Sequence, residues 1–422
     1  VTEVGGTPAI GAFAGPIARS SVARVGTATA VTAVCGYAVV YLAARDLAPA
    51  GFSVFAVFWG AFGLVTGSAN GLLQETTREV RSAGYADVLP GRRTHPLRVA
   101  GIVGIVAAVL IAGTSPLWSG RVFTDARWLS VGLLSVGLAG FCLHATLLGM
   151  LAGTGRWTQY GALMVTDAVI RVAVAATTVL LSWSLVGFLW ATVAGALAWL
   201  IMIVASPTTR AAARLLTPGG TATFLRGAAH SITAAGAGAI LVMGFPVLLK
   251  LTSTQLGAQG GVIILAVTLT RAPLLVPLTA MQGNLIAHFV DERNKRLRAL
   301  VRPVLLVGAI GAVGVLAAGL VGPWLLRVGF GSGYHATGAL LAWLTAGALA
   351  IAMLTLTGAA TVAAALQRVY ALGWVCATVA SALLLLLPLP LPTRTVVALC
   401  CGPLVGIGVH LAALARGRGS SA

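Results

Sequence analysis

Long apolar runs broken by short polar gaps organise this chain from end to end. A membrane-crossing helix needs about 20 mostly apolar residues. Twelve such segments can be read: 22–43, 52–73, 97–118, 129–151, 159–181, 185–205, 228–249, 262–283, 303–322, 337–359, 369–388 and 395–414. The longest gaps, 74–96, 206–227 and 284–302, are too short for a soluble domain. The pattern predicts an all-α membrane protein with 12 transmembrane helices. The Pro/Gly-containing stretch 206–227 divides them six and six. Two six-helix bundles, 18–205 and 228–415, are therefore expected around a cytoplasmic linker at 206–227, with a binding site between them. Residues 1–17, rich in Gly, Ala and Pro, are expected to form a disordered cytoplasmic tail rather than a signal peptide, and 416–422 a second tail. One echo links the halves: Asn70-Gly71-Leu72-Leu73-Gln74 closes the second segment, and Ala280-Met281-Gln282-Gly283-Asn284 the eighth.

Composition agrees and removes alternatives. The 422 residues are 58% hydrophobic and only 9% charged, against about 25% charged in soluble chains. A soluble enzyme and a secreted disulfide scaffold are excluded. The five cysteines lie in apolar stretches without metal-ligand spacing. Charge is lopsided, with 27 Lys+Arg against 9 Asp+Glu. Two are lysines, Lys250 and Lys295, and 25 are arginines. With the N-terminus inside, 19 of these cations fall in cytoplasmic gaps, 6 on the other face and 2 within spans. The positive-inside rule then places both termini in the cytoplasm, N-in and C-in. The net charge of +18 is thus largely a topology signal, and no nucleic-acid partner is expected.

Ionisable groups in mid-membrane cost about 2.5–3.5 kcal/mol on insertion scales, so each calls for a reason. Asp167 and Arg171 lie four apart in the fifth segment, within reach on one helix face. They form either an internal ion pair that fixes packing or a cavity-lining pair with Asp167 as a coupling site. Arg271 lies in the eighth segment with no acid within one turn. Its partner is either Asp167 or a substrate phosphate, which guanidinium binds with bidentate geometry. Pro273 and Pro277 mark that segment as a bent element. Arg24, near the start of the first segment, either snorkels to the interface or adds a second cation inside. Gln74, Glu75 and Arg78 read as a solvated helix end or a polar lip. His144, His230, His288 and His410 read as packed or interfacial histidines.

No P-loop, GxSxG or HExxH occurs, and the outer gaps hold two acids, Asp46 and Asp125, each near an arginine. A transporter fits better than an enzyme, and no cofactor or metal is expected.

Several stretches then carry a resemblance. They are Ala44-Arg45-Asp46-Leu47-Ala48-Pro49-Ala50-Gly51-Phe52, Gln74-Glu75-Thr76-Thr77-Arg78-Glu79, Gly155-Arg156-Trp157 followed by Asp167 and Arg171, Thr270-Arg271-Ala272-Pro273, and Phe330-Gly331-Ser332-Gly333-Tyr334. In order and placement the chain resembles the polysaccharide and lipid-linked sugar flippases of the multidrug/oligosaccharidyl-lipid/polysaccharide superfamily, whose fold the multidrug and toxin extrusion transporters share. The resemblance implies two bundles in a V and a cationic cavity for the phosphate of a polyprenyl-linked sugar. Arg24 and Arg271 match the helices whose arginines line that cavity in the similar lipid II flippases. The expected function is movement of a polyprenyl-phosphate- or pyrophosphate-linked glycan across the plasma membrane for envelope polysaccharide synthesis. Arg24, Arg271 and Arg171 would bind phosphate, Asp167 would hold Arg171, and Asn70, Gln74 and Gln282 would bind sugar. Partners would be that glycan lipid, membrane lipids and glycosyltransferases of its pathway. A cation-coupled amphiphile exporter on the same fold, or a non-transporting scaffold, are the alternatives. The chain departs from the lipid II flippases in lacking their two extra helices. It also lacks the acid that some drug exporters carry in the first or seventh helix.

Overall fold

A computed structural model describes residues 19–83, 93–281, 285, 288, 289, 296–364 and 366–416. Ten helices among these residues are long and apolar enough to cross a membrane, or eleven when one bent pair is taken as a span. The protein is a multi-pass, all-α membrane protein. The tails 1–17 and 417–422 and the candidate Gln282 lie outside the described residues.

The first helix, Arg19–Ala83, runs 65 residues. Straight, it would be about 98 Å long, three times a hydrocarbon core of about 30 Å. It breaks at Ala48 (φ 54°, ψ 171°), followed by Pro49. Pro49 has no amide to donate backward, and its ring disfavours helical geometry at Ala48. The arms are α1 (19–47) and α2 (49–83). There follow α3 Pro96–Val122, α4 Arg127–Gly153, α5 Trp157–Leu180 and α6 Ser184–Ala205. A 3₁₀ turn at Gly195–Leu197 interrupts α6.

The seventh segment departs from expectation. In place of one helix over 228–249 there are two, α7a Thr221–Val242 and α7b Phe245–Leu251, bent by 66°. Met243-Gly244 forms the break, and Pro246 sits in the first turn of α7b. Pro is well suited to a first turn, where its missing amide has no helical partner. The remaining helices are α8 Gly257–Ala280, α9 Arg296–Phe330, α10 Gly338–Ala363, α11 Gln367–Leu384 and α12 Leu391–Arg416. Pro273 and Pro277, which mark the eighth segment as a bent element, both lie inside the uninterrupted helix α8. Nor is 206–227 an open linker. It holds a short helix, Pro207–Ala213, and a strand, β2 Thr217–Pro218, that pairs antiparallel with β1 Arg93–Thr94. The Arg156 guanidinium donates to Thr208 O at 2.8 Å and pins it further.

The main core spans both halves of the chain. It gathers Phe52, Phe55 and Phe58 of α2, Phe188 of α6, Phe245 of α7b and Ile263 of α8. Tyr334, after α9, donates to Ala44 O at 2.8 Å and joins the α1–α2 break to the second half. Burial raises its phenol above the ordinary tyrosine value. Farther along, α2 lies on α7a so closely that a Cβ at Gly71 would overlap the backbone of Ser231 and Ile232. Small residues permit such approach between membrane helices. On the outside, α9 presents Leu305, Leu306, Val313, Leu316 and Leu320 openly, as a lipid-solvated surface does.

Candidate functional site

Arg271 sits midway along α8, after Thr268 and Thr270, whose hydroxyls donate back to Ile264 O and Ala266 O at 2.8 Å. Those threonines satisfy themselves on their own helix. Arg271 instead bonds beyond its own helix. It is 7% exposed and reaches across to α7. Its Nη1 donates to Val242 O at 2.9 Å. Val242 is the last residue of α7a, and a helix end carries unpaired carbonyls and about half a negative charge. The break at Met243-Gly244 thus creates the acceptor that Arg271 uses. Phe245, the first residue of α7b, lies under the guanidinium with 5.2 Å from Cζ to the ring centre. Tyr37 of α1 lies close enough to feel its charge. Arg271 is therefore placed where α1, α7 and α8 meet.

Two of its nitrogens, Nε and Nη2, are buried with no hydrogen-bond partner among the described residues. An unsatisfied buried donor costs about 1–3 kcal/mol, and more when charged. A partner from outside the fold would remove that cost.

Arg171 is the opposite case. Its Nε meets both carboxylate oxygens of Asp167, at 3.2 and 3.1 Å, and its Nη2 donates to Oδ1 at 3.0 Å. Its Nη1 donates to Thr192 O on α6. The guanidinium also lies over Phe62 of α2, at 5.4 Å. Gly195 makes room for the pair, since a Cβ there would overlap the Asp167 carboxylate. The structure thus places Asp167 on Arg171, inside the first half of the chain. Of the two partners open to Arg271, the carboxylate is already engaged.

Arg24, near the start of α1, is exposed and donates from Nη1 to Thr158 Oγ1 on α5 at 2.8 Å. Tyr37, the α1 residue beside Arg271, lies 13 residues further on, about 20 Å along a helix axis. Arg24, Arg171 and Arg271 share no partner among the contacts described. Asn70 is half-buried and Gln74 exposed, one turn apart on α2 beside the tight α2–α7a crossing.

Two further groups lie near these helices. Glu75 is not a solvated helix end; it is 3% exposed, paired with Arg78 at 2.6 Å, and packed where Gly227 has no side chain. Lys250 at the end of α7b is 9% exposed and lines a cavity of about 480 Å³. The cavity lies between the start of α2, the α3–α4 connection and the α7–α8 connection. The signal for Lys250 was its rarity among 25 arginines. Among the described residues no group of three or more His, Cys, Asp or Glu could hold a metal ion.

No family model matches the chain. Uncharacterized protein Mb3654 of Mycobacterium bovis is 78% identical over 421 residues, covering 99% of this chain and 98% of the relative. Uncharacterized protein Rv1510 of Mycobacterium tuberculosis is 73% identical over 416 residues, covering 99% and 96%. Among solved structures, the inward-facing conformation of a multidrug resistance MATE family transporter of the MOP superfamily superposes with TM-score 0.72 at 13% identity, covering 98% of each chain. The outward-facing conformation of such a transporter gives 0.61 at 14% identity, covering 98% of this chain and all of the other. A MOP superfamily transporter from Pyrococcus furiosus, whose binding pocket is described as reversed in polarity, gives 0.63 at 13%, covering 98% and 99%. These likenesses establish the fold.

Proposed function

Because the chain belongs to the same family as the mycobacterial proteins Mb3654 and Rv1510 and has the fold of MOP superfamily transporters, we propose that it is a flippase. It would carry a polyprenyl-phosphate- or pyrophosphate-linked sugar from the cytoplasmic to the outer leaflet of the plasma membrane, for envelope polysaccharide synthesis. The observation that carries this reading is Arg271: a buried guanidinium at the junction of α1, α7 and α8 with two unpartnered nitrogens. A phosphate offers paired oxygens to such a fork. The reversed pocket polarity described for the Pyrococcus furiosus transporter shows that this fold has more than one electrostatic design.

This reading counts Arg19–Ala83 as two spans and α7a with α7b as one, for twelve in two sets of six. The arginine-rich connections then face the cytoplasm. Arg24, on that face beside α5, is suited to first contact with an anionic headgroup. Arg271, deeper, receives it, while Asn70 and Gln74 meet sugar hydroxyls. Arg171, clamped by Asp167, contributes field and rigidity. The aromatic core shared by both halves closes the opposite side, in keeping with the better superposition on an inward-facing structure. The membrane potential can drive export, since one negative charge moving outward gains about 2.3 kcal/mol per 100 mV. Glycosyltransferases of the same pathway would supply the substrate.

A second reading, a cation-coupled exporter of small amphiphiles, is favoured by the multidrug transporters among the structural neighbours. It needs a carboxylate free to exchange a cation, whereas Asp167 is engaged by Arg171. Depletion in cells separates the two. The flippase reading expects a lipid-linked glycan to accumulate in the cytoplasmic leaflet with drug tolerance unchanged. The exporter reading expects drug sensitivity without glycan accumulation.

A further inference from the structure

The cavity beside Lys250 is a second site with its own chemistry. Among its lining residues is Lys250, whose ammonium makes no hydrogen bond or ion pair among the described residues. The residue is largely buried while its ammonium keeps some exposure, and no carboxylate pairs with it among the described residues. Asp125 also lines the cavity but accepts instead from Thr124 Oγ1 at 3.1 Å. Thr254 and Gln255 add polar groups, and Val54 and Val57 supply an apolar wall. The α7–α8 connection that carries Thr254 and Gln255 is braced. Arg394 of α12 donates to Thr252 O at 2.9 Å and to Ser253 Oγ at 2.7 Å. The connections that form the cavity belong to the arginine-poor face.

A cavity of about 480 Å³ falls within the range of small-molecule sites, roughly 300–1,000 Å³, and exceeds what a bare anion fills. Its lining asks for a ligand with one anionic end for Lys250 and several hydroxyls for Asp125, Thr254 and Gln255. We propose that this cavity binds a carbohydrate phosphate, with its phosphoryl group on the Lys250 ammonium and its hydroxyls on Asp125 and the α7–α8 connection. The site is separate from Arg271 and stands whether or not Arg271 contacts a transported headgroup. The phosphosugar comes either from the aqueous phase or from the end of a lipid carrier.

The test is calorimetric titration of the full chain in nanodiscs with glucose 1-phosphate, glucose, inorganic phosphate and a short-chain alkyl glucosyl phosphate. The expected result is tighter binding of both phosphosugars than of glucose or inorganic phosphate. Lys250→Gln should weaken them at least tenfold, and Lys250→Arg much less. Preference for the alkyl ester would identify a lipid-carried ligand, and preference for the free ester a soluble one; both support the site. Folded Lys250→Gln protein that binds as tightly as wild type overturns the proposal. So does binding that is lost in Arg271→Met and kept in Lys250→Gln. Should Lys250→Gln not fold, amine labelling of the wild-type protein decides. The chain has two lysines, and glucose 1-phosphate should protect Lys250 and leave Lys295 reactive. Absence of that protection overturns the proposal.

Discussion

Arg171 and Arg271 each stand fifteenth in a 24-residue helix of one membrane protein, and their surroundings differ in kind. Arg171 has Asp167 on one edge, a carbonyl on the other and an aromatic face beneath it. Arg271 has one carbonyl, one aromatic face and two idle nitrogens. The first arrangement is complete without any guest. The second is complete only when something else supplies acceptors. A charge in the membrane is therefore not in itself a sign of a binding site. The informative quantity is how many of its donors the fold leaves unmet.

The largest expected effect is structural and falls on the satisfied pair. Asp167→Ala leaves Arg171 buried without its counter-charge and should destabilise the protein by about 3–5 kcal/mol, read by denaturant unfolding in detergent. Asp167→Leu combined with Arg171→Met should recover most of that loss, because replacing both partners removes the unpaired charge. Equal instability of single and double variants would mean that the pair does more than neutralise itself.

Arg271→Met should act with the opposite sign on stability. It removes two unsatisfied donors, so its melting temperature should equal or exceed that of wild type. Flux should nevertheless fall about 30-fold or more, the equivalent of roughly 2 kcal/mol for a lost charged hydrogen bond. A stable, fully active Arg271→Met protein would erase the distinction between the two arginines.

Gly71→Leu should cost about 1–3 kcal/mol by overpacking the α2–α7a crossing, measured as a shift in the unfolding midpoint. Ala at the same position should do the same more mildly. The smallest effect concerns His95, which precedes α3. Burial, and then the Arg98 charge, lower its pKa below the ordinary histidine value. The folded state thus binds fewer protons than the unfolded one, and stability should decline as pH falls below about 6.5. In His95→Asn that share of the decline should vanish.

These comparisons also show what the linear chain could disclose. The apolar runs marked out the helices, because about 20 apolar residues in a row have few other stable places in a cell. The spacing of Asp167 and Arg171 announced their pairing, since residues four apart on a helix are neighbours. Arg271 stood out because it had no acid nearby. Its actual partner was hidden. Val242 O becomes available only because α7 breaks at Met243-Gly244, and a backbone carbonyl carries no sequence label. Pro246 was a local hint to that break. The burial of Glu75 and of Lys250 was hidden for a related reason. Their burial depends on segments more than a hundred residues away, Gly227 for the first and the α3–α4 connection for the second.

The most direct test of the role given to Arg271 is a ratio of fluxes in vesicles. One lipid carries a sugar through a phosphate, and its twin carries the same sugar through a neutral linkage. Wild-type protein should move the phosphate form much faster, and Arg271→Met should bring the two rates together. An unchanged ratio in Arg271→Met would contradict the account.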